Sequence, residues 1–204
     1  MAINYTVQAE VVDITTDTPR AEDAFLVDTN VWYWTTYPNA TPHIQNQNSY
    51  YPGYLNNALG ASAKIFHSVL TLAELSHIIE KTEREIYERN IGNSIKSKEF
   101  RHNLAGQRGR VVSEVQAAWA QVASLAEPLT VTIDSPTAIA ALNRMQAEKV
   151  DGYDLFILES MRNHGVVQVI TDDGDFATVP GIQVLTANRN VIQAARAQGR
   201  LITR

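Results

Sequence analysis

Short apolar runs alternate with longer amphipathic stretches along this chain. Near the start, Val7, Ala9 and Val11 alternate weakly before a Thr/Asp/Pro cluster at Thr15 to Pro19, which predicts an edge strand followed by a loop. Ala24-Phe-Leu-Val27 is a continuous apolar run ending at Asp28, the pattern of a strand buried on both faces. From Tyr37 to Gly60 the chain is rich in Asn, Gln, Tyr and Pro, with Pro38, Pro42, Pro52 and Gly53, and reads as a long loop with room for a short helix. Lys64 to Val69 predicts a second strand. A helix follows from near Thr71, with Leu72, Leu75, Ile78 and Ile79 on its apolar face and charged sequence continuing to about Asn90. Gly92 and Asn93 break it, and Ser94 to Gly109 reads as polar and flexible. Val111 to Leu125 resumes a helix that Pro128 stops, and Leu129 to Ile133 alternates as a strand.

Asp134 with Pro136 two residues on predicts an N-cap and first turn, opening a helix to about Lys149. The next helix spans Asp151 to His164 and closes at Gly165, a left-handed C-terminal position. Val166 to Ile170 reads as a strand, Thr171 to Phe176 as a turn, Ile182 to Thr186 as a short strand, and Asn190 to Gln198 as a last helix. Strands alternating with helices predict a layered α/β fold with a mainly parallel sheet. Neither an internal repeat nor an interdomain linker is visible. The expectation is a single domain over 1–204, with an extension at 1–20, a loop insertion at 37–60, an extended helical region at 81–127 and a basic C-terminal segment at 187–204.

Composition narrows the chemistry. With 45% hydrophobic and 19% charged residues, a packed core can form. The absence of cysteine excludes disulfides, thiolate zinc sites and cysteine nucleophiles, and fits a reducing cytoplasm. Met1 to Glu10 lacks the charge and apolar run of a secretory signal, and no apolar run approaches the roughly 20 residues a membrane helix needs, so no membrane partner is expected. The net charge of −5 is unevenly spread: residues 81–110 hold 8 basic and 4 acidic side chains, and residues 186–204 hold 4 basic and none acidic. These basic segments either flank an acidic site to hold a phosphate backbone or form solvated faces. For 80–89 the i,i+4 pairs Glu80/Arg84, Arg84/Glu88 and Glu85/Arg89 favour the solvated face.

Carboxylates stand where such a sheet presents chemistry. Asp28 ends the first buried strand, and Asp173 and Asp175 follow the strand at Val166 to Ile170, so both segments arrive at the carboxyl edge where ligands bind. Glu74 sits in the first turns of its helix, on an otherwise apolar stretch. Asp154 lies near the start of another helix, with Asp151 three residues before it competing for the same role. Taken singly, Asp28 and Asp154 also read as caps and Asp173 as part of a polar turn. Together they cannot all ionise unaided, and a divalent cation removes the conflict. Oxygen-only ligands select hard ions, so Mg²⁺ or Mn²⁺ is expected, able to orient and deprotonate water against a phosphoryl group. Glu74 and His77 match a Glu-x-x-His di-iron spacing, but the second copy is missing. The histidines at 43, 67, 77, 102 and 164 form no ligand pair of familiar spacing, and the signature glycine motifs of nucleotide binding and serine hydrolysis do not occur.

In order and spacing, Leu26-Val-Asp28-Thr-Asn-Val31, Ser68-Val-Leu-Thr-Leu-Ala-Glu74-Leu, Asp154-Leu-Phe-Ile with Gly165 beyond it, and Val169-Ile-Thr-Asp-Asp173-Gly-Asp175-Phe176 resemble the PIN-domain family, which includes the VapC-type toxins. The resemblance implies a three-layer α/β/α sandwich with about five parallel strands. It also implies metal-dependent hydrolysis of RNA to 5′-phosphate and 3′-hydroxyl ends by Asp28, Glu74, Asp154 and Asp173. Asn30, Thr171 and Asp175 match accessory positions. An antitoxin protein and a second copy of the chain enter as candidate partners. The N-terminal extension and the 37–60 and 81–127 segments exceed the compact toxins. Tyr37, Tyr50, Tyr51 and Tyr54 either stack unpaired bases or pack their loop. Two other readings remain beside the nuclease: a phosphatase of haloacid dehalogenase type, which wants a second Asp where Asn30 stands, and a non-catalytic RNA-binding module.

Overall fold

The computed structural model describes residues 3–40 and 47–204, the side chains of 47 and 48 excepted; Pro42 and His43 lie outside that set. In chain order the elements are β1 (Glu10–Asp13), β2 (Ala24–Val27), α1 (Thr29–Thr36), α2 (Gln47–Gly60), β3 (Lys64–Ser68), α3 (Thr71–Ile91), α4 (Ser97–Asn103), α5 (Ala105–Leu125), β4 (Glu127–Leu129), α6 (Ser135–Ala147), α7 (Asp154–His164), β5 (Gln168–Ile170), a 3₁₀ turn (Gly174–Thr178), β6 (Gln183–Thr186), α8 (Arg189–Ala197) and β7 (Leu201–Ile202).

The strands make one parallel sheet in the order β4-β3-β2-β5-β6-β1-β7. Among the described residues seven strands stand where about five were expected, because both chain ends add to the sheet. β1 is not an edge strand: β6 pairs along one side and β7 covers the other. The strand alternation divides the core. Val11, Leu26, Val169 and Val184 pack with residues of α6, α7 and α8, whereas Val12, Phe25, Val27, Ile170 and Leu185 pack with residues of α1, α2, α3 and α5. Helices therefore cover both faces, giving the three-layer sandwich.

Several expectations shift for physical reasons. The 37–60 stretch is no continuous loop, since α2 occupies Gln47–Gly60 with Pro52 inside it. Tyr51, Tyr54, Leu55 and Ala58 repeat at helical spacing and are buried, and that packing outweighs the proline. Ser94 to Gly109 is helical across α4 and the start of α5. Phe100 is buried against Tyr87, with ring centroids 5.8 Å apart, and Arg101, Arg108 and Arg110 pair with carboxylates of α3. On α3, Leu75 and Ile79 face the core, but Leu72 is exposed. The strand expected at Leu129–Ile133 lies earlier, at β4, where Pro128 is accommodated in an edge position. Helix α7 begins at Asp154 and leaves Asp151 in the preceding loop; its C-terminal Gly165 adopts φ 67° as expected. Asp134 accepts the Thr137 N–H at 2.9 Å and caps α6. Helix α1 and strand β7 have no counterpart among the expected elements. Among the described residues no helix is long and apolar enough to cross a membrane.

Candidate active site

The order of the sheet reverses between β2 and β5: from β2 the chain builds outward through β3 and β4, and from β5 outward through β6. The carboxyl ends of β2 and β5 therefore flank a topological switch point, where a crevice opens. Asp28 follows β2 and Asp173 follows the turn after β5. Asp28 caps α1 and accepts the Thr29 N–H at 2.6 Å, and Asp173 caps the 3₁₀ turn and accepts the Asp175 N–H at 2.9 Å. Glu74 and Asp154 stand in the first turns of α3 and α7. Each of the four acids thus faces the positive end of a helical segment, which partly offsets their repulsion.

All four line one cavity of about 880 Å³, together with Asn30, Tyr153, His77, Glu80, Arg101 and Arg108. Its apolar wall comes from Ile78, Val111, Val112 and Val115. Hydrogen bonds tie three of the acids into a chain. Thr29 donates its hydroxyl to Glu74 at 2.5 Å and its N–H to Asp28. Thr171 donates its hydroxyl to Asp28 at 2.6 Å and accepts the Asp173 N–H at 2.8 Å. The threonines are buried, so these bonds are shielded from water. Beneath the turn, Tyr51 donates to Asp172 at 2.6 Å and accepts the Ala187 N–H at 2.9 Å.

The electrostatics follow from burial and proximity. Burial pushes Asp28 up to about 7; the Thr171 hydroxyl opposes this, and the charges of Asp173 and Glu74 add to it. Asp154 is pushed up to about 9 by burial first and then by Asp28, Glu74, Asp173 and Asp151. Glu74 is raised by burial against the Thr29 hydrogen bond, with Asp173 and Asp151 contributing, and Asp175 is raised by burial and by Asp173 and Asp151. Two expected residues are peripheral. Asp151 is exposed and Asp175 is half-buried, and neither lines the cavity; they act on it through charge, and Asp175 also through its N–H to Asp173.

As the side chains stand, no three His, Asp or Glu among the described residues form a group able to hold a metal ion. This differs from the expected convergence of the acids on one point. They share a cavity instead, with three of them turned to donors of the protein. The donor set nonetheless suits a hard cation: it is all oxygen, its members raise one another's proton affinity, and the buried Asn30 Oδ1 has no hydrogen-bond partner among the described residues.

Some residues that the sequence did not single out line the cavity or stand beside it. Tyr5 lies against Gly174, where any Cβ would overlap its ring, and its hydroxyl is raised by burial and by Asp173, Asp175 and Asp172. Gln198 holds this segment by accepting the Val7 N–H and donating to the Tyr5 carbonyl, each at 2.9 Å. No local pattern marks Tyr5, whereas Arg101 and Arg108 were visible within the basic 81–110 stretch. The basic tail does not reach the cavity. Arg204 is half-buried in pairs with Asp17 and Asp23, each at 2.6 Å, and Arg189, Arg196 and Arg200 lie exposed elsewhere. Tyr37, Tyr51 and Tyr54 are buried and pack rather than stack bases; Tyr50 is exposed. Both oxygens of Asp28 accept protein hydrogen bonds and Asn30 occupies the position of a second Asp, which disfavours a covalent phosphatase.

No curated protein matches the chain. A family model described as the PIN domain matches residues 25–182, a stretch that contains Asp28, Glu74, Asp154 and Asp173 and leaves out Tyr5, β1, β6, α8 and β7. PIN domains are generally nucleases and typically use divalent metal ions. With the match covering most of its length and the acids gathered at the sheet's switch point, this chain belongs to the PIN domain family.

Proposed function

We propose that this protein is a metal-dependent endoribonuclease in which Asp28, Glu74, Asp154 and Asp173 would hold Mg²⁺ or Mn²⁺ and water hydrolyses an RNA phosphodiester bond. The observation that carries the reading is four carboxylates from four separate chain segments lining one cavity, two of them raised well above the ordinary aspartate range. When bound, the cation supplies charge that offsets the carboxylates and stabilises the phosphoryl group under attack. The chain's own residues do the positioning. Thr29 fixes Glu74 and Asp28 relative to each other, Thr171 fixes Asp28 and the backbone of Asp173, and the Asp175 N–H orients the Asp173 carboxylate. Asn30 lines the cavity, and its buried carbonyl oxygen has no hydrogen-bond partner among the described residues.

Incubating RNA with the protein and Mg²⁺ or Mn²⁺ should yield 5′-phosphate and 3′-hydroxyl ends. Asp28→Asn and Asp154→Asn should abolish cleavage with the fold retained, and full activity in both variants refutes the assignment. RNA affinity without turnover in the native protein would favour a binding module. The motif order shared with VapC-type toxins extends the reading to a toxin held by an antitoxin. Induced expression should then arrest growth of a host, and Asp28→Asn should relieve the arrest; growth unaffected by the native protein removes the toxin role.

A further inference from the structure

Helix α3 carries two acids into the cavity with different surroundings. Glu74 joins the four-carboxylate group. Glu80, six residues on and so about 9 Å further along the helix axis, is buried against arginines from α4 and α5. The Arg101 Nε–H reaches both Glu80 oxygens at 3.1 and 3.0 Å, its Nη2 also donates to Glu80, and Arg108 Nη1 donates at 2.9 Å. One carboxylate thus orients two guanidiniums and leaves a net positive charge. Their side chains remain 42% and 46% exposed, and no further acceptor among the described residues engages either one. A guanidinium has five N–H donors, so both arginines keep donors for an incoming anion.

Between the two charge centres the lining mixes an apolar wall with the polar side chains of Ser76, His77 and Gln116. Ile78 lies between Glu74 and Glu80 on α3, and Arg108, Val111, Val112 and Val115 form one stripe of α5 at helical spacing. The cavity therefore presents an acidic centre, an apolar wall and a paired guanidinium centre. An unpaired nucleotide carries the matching groups: a phosphodiester, a base face and a second phosphate. Base faces are free only in a single strand, and phosphate oxygens suit paired arginines.

We infer that Arg101 and Arg108, positioned by Glu80, hold a non-scissile phosphate of single-stranded RNA while the neighbouring base rests on Ile78, Val112 and Val115. This rests on the nuclease reading for the identity of the strand. It assigns the 81–127 region the second wall of the substrate site.

The test measures fluorescence anisotropy of an end-labelled single-stranded RNA oligonucleotide in Mg²⁺ at several salt concentrations. All proteins carry Asp28→Asn so that the probe survives. Adding Arg101→Gln and Arg108→Gln should weaken binding about tenfold or more and flatten the plot of log affinity against log salt by about 0.7 for each phosphate that is no longer neutralised. Arg101→Lys with Arg108→Lys, which keeps the charges, should recover the salt slope but only part of the affinity, and serves if the Gln pair unfolds. Native affinity and slope in a folded Gln pair would overturn the inference, as would equal binding of duplex DNA or of an acidic peptide. No RNA binding by the parent protein would also overturn it. Cleavage by the protein with Asp28 intact is scored separately: its absence defeats the nuclease reading, while the binding arms still decide the role of the arginines.

Discussion

Replacing Asp28 by Asn should stabilise the metal-free protein while abolishing cleavage. Asp28 is buried, with 8% exposure, and its carboxyl is held up to about 7 against an ordinary value of 3.8. The folded state therefore binds more protons than the unfolded chain between these values, and stability falls as pH rises through that window. About three pH units at 1.36 kcal/mol each set a ceiling near 4 kcal/mol above pH 7. Asn keeps an acceptor for the Thr29 N–H at 2.6 Å but forces the Thr171 hydroxyl to reorient, which costs about 1 kcal/mol. Part of the remainder is lost because Asp154, held up to about 9, titrates with it. A net gain of about 2 kcal/mol at pH 8 corresponds to a rise of about 4–8 °C in Tm for a protein of this size. Calorimetric melts in EDTA at pH 5 and pH 8 measure it: the native Tm should drop between the two, and the variant should drop less. Equal pH sensitivity, or a variant less stable than native at pH 8, would refute the electrostatic account.

Three further outcomes are expected. Mn²⁺ or Mg²⁺ should raise the native Tm and bind more tightly as pH rises from 6 to 8, because Asp28 must lose its proton; a metal concentration 100 times Kd is worth about 2.7 kcal/mol, and titration at each pH checks the trend. Gly174→Ala should push the Tyr5 ring away and lower cleavage several-fold, with no further loss when combined with Tyr5→Ala; additive losses in that double-mutant cycle would sever the link. Arg204→Ala should cost about 3–5 kcal/mol by leaving the Asp17 and Asp23 carboxylates, each 5% exposed, without their cation, read as a shift of the urea midpoint.

The fold class and the placement of the four acids at the sheet's carboxyl edge were legible along the chain because they depend on local pattern. Ala24 to Val27 is apolar enough to be buried on both faces, and a residue directly after such a strand reaches the sheet's carboxyl edge wherever the rest of the chain goes. Asp134, Pro136 and Gly165 likewise speak through short-range backbone preference. Helix α2 was hidden because Pro52 and its polar neighbours outweighed, on local grounds, a Tyr51, Tyr54, Leu55, Ala58 stripe that matters only once a core exists to receive it. Helix α4 was hidden because ion pairs to Glu80 and the burial of Phe100, interactions between residues far apart along the chain, hold it. The seventh strand, the placement of Tyr5 over Gly174 and the meeting of Arg108 of α5 with Glu80 also needed the assembled sandwich. Proximity in space is set by packing, and no local signal reports which distant side chains packing will bring together.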